Sequence, residues 1–534
     1  MRRSVRVQDI GRRDAQLVHI EPKDLTMLPF PQGQPNGQFP LKSLTDDQRQ
    51  RFEASLDGIS AIALPKPVNE TEEAELVRKF LAGLEKLLSS ENNWTFLQPL
   101  LLSLENCASC QTCSDACPIY MASGRKEIYR PTYRADILRS IIKGYLKKGG
   151  WLSKLSTRFT ASKITLDWVT IARLAELSYR CTLCRRCAQA CPLGIDNGLI
   201  AHELRKVFSQ ELGIAPKELH DLGTVQQLQV GSTTGMRPKA FEDIKAFMEE
   251  EIQEKTGRKI TIPVDQKGAD ILLIHNAGEF VSWPENPEAF AILFDAAGLS
   301  WTLSSELVGY DAVNYGVWYD DVQLAKIALK HVRIAKDLKV NRIVVGECGH
   351  AHKATIVTAD RLLPPELNIR RESCLPLMEK IVMSGALKLC RDTNSFPVTL
   401  HDPCNTVRML GIAEPQRRIL RQICPQFIEM EPHGADNYCC GGGGGFAIMS
   451  SLNFSDWKLG VAGRTKIKQI LEAFKDVASP EIRKYVCAPC SNCKAQLRDL
   501  FDYYHLGERY NISYMGLAEL IVNAMTDLKE PFIS

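Results

Sequence analysis

The spacing of eight cysteines constrains this chain more than any other feature. Cys107, Cys110, Cys113 and Cys117-Pro118 read CxxCxxCxxxCP, and Cys181, Cys184, Cys187 and Cys191-Pro192 read the same. Three thiolates at CxxCxxC spacing wrap one face of an iron–sulfur cubane, while the fourth, beyond a helical turn, ligates the other cluster. The spacing therefore assigns Cys107, Cys110, Cys113 and Cys191 to one [4Fe-4S] cluster and Cys181, Cys184, Cys187 and Cys117 to a second. Two zinc sites are the alternative, but zinc requires neither the interleaving nor a proline after each fourth cysteine.

The rest of the composition frames this reading. The 534 residues allow two or three domains, and hydrophobic residues at 45% with charged ones at 24% are ordinary for a globular protein. No apolar run is long enough for a membrane span, and no apolar stretch follows Met1-Arg2-Arg3 to make an export signal. The expected location is the cytoplasm, where eighteen cysteines stay reduced and favour metal over disulfides. A net charge of +3 gives no reason to expect nucleic acid.

The fold class read from the chain is α plus α/β. Residues 1–65, with the break PFPQGQPNGQFP, read as an extended N-terminal arm. Residues 66–225 read as a helical ferredoxin-like domain with two clusters, opened by Leu76, Phe80, Leu81, Leu84 and Leu87 at helical spacing. Between its motifs lies a basic stretch, Arg125 to Lys163, with eleven Lys or Arg against Glu127 and Asp136. Ile137, Leu138, Ile141, Ile142 and Tyr145 share one helical face there, with Arg134, Lys143 and Lys147 elsewhere. That pattern suits a helix docked at a membrane surface or partner and, equally, an ordinary half-buried helix.

Residues 226–534 alternate short β-rich runs, ILLIH, RIVVG, PVTLH and KYVC, with helical patterns, as a duplicated α/β domain would. Ile274-His275-Asn276-Ala277-Gly278 lines up with Leu400-His401-Asp402-Pro403-Cys404, and Asn314-Tyr315-Gly316-Val317-Trp318 with Asn437-Tyr438-Cys439-Cys440-Gly441. Val344-Val345-Gly346-Glu347-Cys348 follows in register with Val486-Cys487-Ala488-Pro489-Cys490, and Lys353-Ala354 with Lys494-Ala495.

Only the second half is rich in thiols. Cys404, Cys439, Cys440, Cys487, Cys490 and Cys493 compete there for four or five ligand places. The repeat puts Cys487 inside a strand and Cys490 and Cys493 on the turn leaving it, so the third site is read as Cys404, Cys439, Cys440, Cys490 and Cys493. Gly441, Gly442 and Gly443 permit close backbone approach to inorganic sulfide, and their amides can donate to cluster sulfur. Cys374, Cys390 and Cys424 read as structural. Cys348 either faces a cleft between the halves or is simply buried. His433, His350 and His352 are candidate proton donors.

Cys404, Cys439-Cys440-Gly441 and Cys490/Cys493 resemble the cysteine-rich CCG domain of heterodisulfide reductase catalytic subunits. With the ferredoxin pair upstream, the chain is similar to the HdrD-like group, and more closely to DsrK-type subunits of a membrane complex associated with sulfite reduction. One departure is plain: the first half has Gly278 for Cys404 and Gly316-Val317 for Cys439-Cys440, so the resemblance implies one special cluster, cubane or non-cubane, and three [4Fe-4S] clusters in all. It also implies reduction, or reversible oxidation, of a disulfide or trisulfide on a DsrC-like sulfur-carrier protein. Electrons would come from a membrane cytochrome b-type, quinone-interacting subunit, and the chain would attach peripherally to the cytoplasmic membrane in a hetero-oligomeric complex. A thiol-coenzyme heterodisulfide reductase and a non-catalytic electron-transfer subunit of a flavin dehydrogenase are the competing readings.

Overall fold

The computed structural model describes residues 5–11, 16–29, 41–53, 56–146, 166–306, 309 and 316–533. Its N-terminal part is helical. The helices Glu70–Leu87, Leu97–Glu105, Pro131–Ile141, Trp168–Ser178 and Asn197–Lys206 enclose one apolar core, in which Phe80, Leu100, Ile137, Leu138, Ile171 and Leu204 are wholly buried. Side-chain caps start three of these helices, with Asn69 accepting from the Glu72 amide, Asp167 from Thr170 and Asp196 from Gly198 and Leu199.

The N-terminal segment has little regular structure, yet Val7, Ile10, Leu56, Ile59, Ile62 and Leu64 are buried in the same core. Their irregular spacing gives no periodic signal. The helix Pro131–Ile141 lies deeper than either reading of it, a basic helix docked at a membrane or partner or a half-buried one with a solvated face. Pro131 through Leu138 are all buried, and Arg134 donates to Asn197 O at 2.9 Å. Its cationic side chain is consumed inside the protein. The rest of the basic stretch from 147 to 163, most of the proline-rich break and the Asn314-Tyr315 pair of the repeat lie outside the described residues.

The C-terminal part holds two four-stranded parallel sheets. Strands β1 (Ile271–Ile274), β2 (Trp301–Thr302), β3 (Arg342–Val345) and β4 (Arg370–Ser373) run in the order β2-β1-β3-β4. Strands β5 (Val398–Leu400), β6 (Phe427–Ile428), β7 (Lys484–Cys487) and β8 (Ile512–Met515) follow the same pattern as β6-β5-β7-β8. The central strands β1 and β7 are buried throughout, as parallel strands covered by helices on both faces must be. The helices Glu285–Ala296 and Leu517–Asn523 belong to different sheets but share one core, which includes Phe290, Phe294, Leu517 and Ile521.

In this order the chain leaves β1 and β5 toward one side and β3 and β7 toward the other. A crevice therefore opens beyond the carboxyl ends of each central pair, where ligands bind in open α/β sheets. His401, Cys404, Cys490 and Cys493 follow β5 and β7, and His275 and Cys348 follow β1 and β3.

Candidate metal centres

The two CxxCxxC loops adopt the same local conformation. Ser109 and Gln111 in the first, and Leu183 and Arg185 in the second, all have positive φ, between 54° and 69°. Side chains with a Cβ adopt this region at a cost, so both loops are held by their surroundings. The result turns three thiols toward one point. Cys113 has Cys107, Cys191, Cys117 and Cys110 as electrostatic neighbours, whereas Cys187 has Cys181, Cys184 and Cys117. Burial pushes the Cys113 and Cys117 thiols up to about 12, so without a cation they would stay protonated. Arg134 Nη2 donates to Cys181 Sγ at 3.3 Å, and Cys110 is the exposed member of the first loop.

The second-half thiols gather from three places. Cys404 begins the helix Cys404–Met409, Cys439 and Cys440 lie on a loop, and Cys490 and Cys493 sit at the start of the helix Ser491–Tyr504. All five are buried, and Cys440 Sγ is 3.4 Å from Cys493 Sγ. Asp402 fixes the loop: it holds Arg417 in a buried pair at 2.6 Å, accepts from the Gly434 amide at 2.7 Å and receives Asn437 Nδ2 on its carbonyl at 3.0 Å. Hydrogen bonds among the crowded sulfurs polarise them unequally. Those from Cys184 and Cys404 draw Cys439 down to about 7, while the thiols of Cys404 and Cys493 are pushed well up.

Cys348, from the first half, is a sixth thiol in this group. It is wholly buried, Asn492 Nδ2 donates to its sulfur at 3.3 Å, and its thiol lies within hydrogen-bonding reach of Cys490 and His350. Cys487 points away into the core with Val398 and Leu400, where Cys374 and Cys424 also lie. The amides of Gly441 and Gly442 donate to Cys439 and Cys440 Sγ, each at 3.4 Å. Gly443 faces elsewhere: a Cβ on it would stand 2.3 Å from Thr182 O, in the second ferredoxin loop.

Of the three candidate histidines, His350 and His352 lie beside Cys348 and His433 does not reach the thiols. His433 is on the surface, its ring 44% exposed and 3.2 Å from Glu431, away from the thiols. His352 has both ring nitrogens engaged, by Cys348 O at 2.6 Å and Ser373 Oγ at 2.7 Å. His401, which no cysteine motif flags, has Nε2 3.3 Å from Cys493 Sγ. Its counterpart His275 packs against Phe280 and Phe290. The one signal that pointed to His401 was this shared histidine after β1 and β5.

The donor set fits iron–sulfur clusters. The side chains gathered are soft thiols with backbone amides directed at sulfur, and six in one dry pocket exceed the four of a zinc site. The two cysteine systems also touch, because the Cys184 thiol is hydrogen-bonded to Cys439. Beside that contact is a cavity of about 110 Å³ at the junction of the helical part and both sheets, with Arg185, His202, Lys353, Arg361 and Met409 in its wall.

Comparison with known proteins agrees with this division. Residues 103–195 match the 4Fe-4S dicluster domain family, and residues 398–498 match the cysteine-rich CCG domain family. The chain is 25% identical over 467 residues to an Hdr-like menaquinol oxidoreductase iron-sulfur subunit 2 of Archaeoglobus fulgidus, covering 79% of this chain and 80% of that protein. It is 28% identical over 408 residues to a subunit of the dihydromethanophenazine:CoB–CoM heterodisulfide reductase of Methanosarcina acetivorans, covering 75% of this chain and 89% of that one. A weaker relative, the EtfAB:quinone oxidoreductase of Syntrophomonas wolfei, is 23% identical over 65% of this chain and 48% of its own.

Proposed function

This chain is an HdrD-like, CCG-domain iron–sulfur subunit, and from that premise we propose that it reduces, or reversibly oxidises, a disulfide or trisulfide at the Cys404, Cys439, Cys440, Cys490 and Cys493 site. Cys107, Cys110, Cys113 and Cys191, and Cys181, Cys184, Cys187 and Cys117, would hold two ferredoxin-type [4Fe-4S] clusters able to pass single electrons, and the CCG cysteines would hold a third whose iron could bind sulfur. The α/β part is a duplicated unit whose first half keeps Cys348 alone. The substrate is a DsrC-like carrier protein, and a quinone-interacting membrane subunit is the electron source within a hetero-oligomeric complex. Attachment to the membrane would be through that partner; no helix among the described residues is long and apolar enough to cross a membrane.

The observation that carries this reading is the contact of Cys184 with Cys439, which makes one continuous series of thiols from the exposed Cys110 to the buried CCG group. Cleaving R–S–S–R′ to two thiols takes two electrons and two protons. His350, beside Cys348, is a candidate proton donor, while His401 and the Gly441 and Gly442 amides orient the thiolates.

The test is anaerobic purification with iron counting and electron paramagnetic resonance, with and without a carrier disulfide. About twelve irons and a substrate-dependent signal lost in Cys440→Ser support the reductase. About eight irons, or three clusters indifferent to substrate, point instead to an electron-transfer subunit, the reading that the EtfAB:quinone oxidoreductase relative favours.

A further inference from the structure

Of the six thiols gathered in the α/β part, Cys348 alone is contributed by the first half, and its turn is locked against the segments that carry the others. The Gly349 amide donates to Cys490 Sγ at 3.3 Å, Asn492 Nδ2 donates back to Cys348 Sγ at 3.3 Å, and the Ser491 amide donates to Glu347 O at 2.8 Å. Each turn therefore presents an N–H to the sulfur of the other across the boundary between the halves. Gly349 also lies tight on the Cys404 helix, where a Cβ would stand 3.1 Å from Pro403 Cβ and 3.2 Å from Thr406 Oγ1. A ring nitrogen of the buried His350 and the sulfurs of Cys348 and Cys490 all lie within 4.8 Å of one another. A cysteine that only fills space sits among apolar side chains, as Cys374 does with Leu375 and Met378. Cys348 shares its pocket with five other thiols and has N–H donors directed at its sulfur, the surroundings of a thiolate on iron. It is also wholly buried, which suits a ligand and does not suit a thiol that must meet a disulfide from solvent.

We propose that Cys348 is an iron ligand of the third cluster, which is then held by both halves of the α/β part and not by the second alone. The inference rests on the cluster reading above and deepens it. On binding iron the Cys348 thiol gives up one proton and no electron changes hands. Asn492 orients the resulting thiolate, and the first half, which has Gly278, Gly316 and Val317 in the other ligand places, contributes to the site through this one turn.

Cys348→Ala and Cys348→Ser test it in anaerobically purified protein, read by iron count and Mössbauer spectroscopy. The parent is expected to hold about twelve irons and Cys348→Ala to fall from there toward about eight, with Cys348→Ser keeping more because a serine oxygen can bind iron. Cys374→Ala, equally buried in the same half, is the reference for lost packing and should keep the parent's count and spectrum. An unchanged count and spectrum in Cys348→Ala, or an equal loss in Cys374→Ala, overturns the proposal. Asn492→Leu leaves the cysteine in place, removes an uncharged donor to its sulfur and should move the third centre to lower potential at unchanged iron. An unmoved potential overturns the proposal, and this variant decides alone if the Cys348 variants do not fold. About eight irons in the parent removes the third cluster and this ligand with it, whereas about twelve in both the parent and Cys348→Ala removes the ligand alone.

Discussion

Gly443→Ala tests how tightly the two cysteine systems are joined. Gly443 has no left-handed backbone to relax, so the cost of a methyl group there is steric. The added carbon would lie 2.3 Å from Thr182 O, and the loop would have to retreat by roughly 0.7 Å to open that gap to 3.0 Å. The neighbouring carbonyls cannot easily follow, because Arg205 holds Cys181 O at 2.7 Å and Arg408 holds Cys184 O at 2.9 Å. Overpacking of this kind costs about 1–3 kcal/mol, and a fixed loop places it toward the upper end. The assay is anaerobic guanidinium unfolding with iron counting. Gly507→Ala is the reference, since its methyl group meets open space and should add about 0.4–1 kcal/mol. A Gly443→Ala protein within about 0.5 kcal/mol of the parent and fully iron-loaded would refute the reasoning.

Cys493→Ser should lose iron from the CCG site, whereas Cys487→Ser should keep it and lose only stability, because its sulfur lies in the apolar core; iron counts on the two variants check this. Replacing His401 by Ala removes the contact at 3.3 Å with Cys493 Sγ and should lower the potential of that centre by some tens of millivolts in a redox titration. His331 is buried, and burial, with Arg371 and Lys330 nearby, lowers its pKa to about 3 from 6.5. The unfolded chain therefore takes up a proton below pH 6.5 that the folded one refuses, and stability is lost as the pH falls. By pH 5 this amounts to about 2 kcal/mol, and His331→Leu should remove that part of the acid sensitivity in denaturant titrations.

What was legible in the sequence depended on whether the signal was local. Cysteine spacing is set by the geometry of one loop, so the two CxxCxxC motifs could be read directly, and short runs of buried β-formers marked β1, β3, β5 and β7. The inward turn of Arg134 could not be read, because a basic residue on a helix gives no sign that its partners lie at Asn197 and Cys181. The burial of Val7, Ile10 and Ile62 was hidden for a related reason: segments without regular structure bury side chains at no fixed period. His433 looked closer to the site than His401 because sequence proximity to Cys439 stood in for distance, and the strand order is what brings the end of β5 to the thiols.

The arrangement of the cysteine systems follows from where the arginines sit. Interfaces between domains of one chain are often polar and mobile, but in this one Arg205, buried, and Arg408, half-buried, each donate to backbone carbonyls of both parts. Arg205 donates to Ser178 O, Cys181 O and Gly444 O, joining the end of a ferredoxin helix, its cluster loop and the glycine run. Arg408, on the Cys404 helix, reaches back to Cys184 O and Ala435 O. A guanidinium presents five donors in a rigid plane, so each arginine fixes several carbonyls in one geometry. Removing it would strand buried acceptors at about 1–3 kcal/mol apiece. On the proposed ligand assignment, the passage from the second ferredoxin site to the CCG site is therefore set by folding and needs no encounter. Cys110, at the other end of the series, is the exposed member.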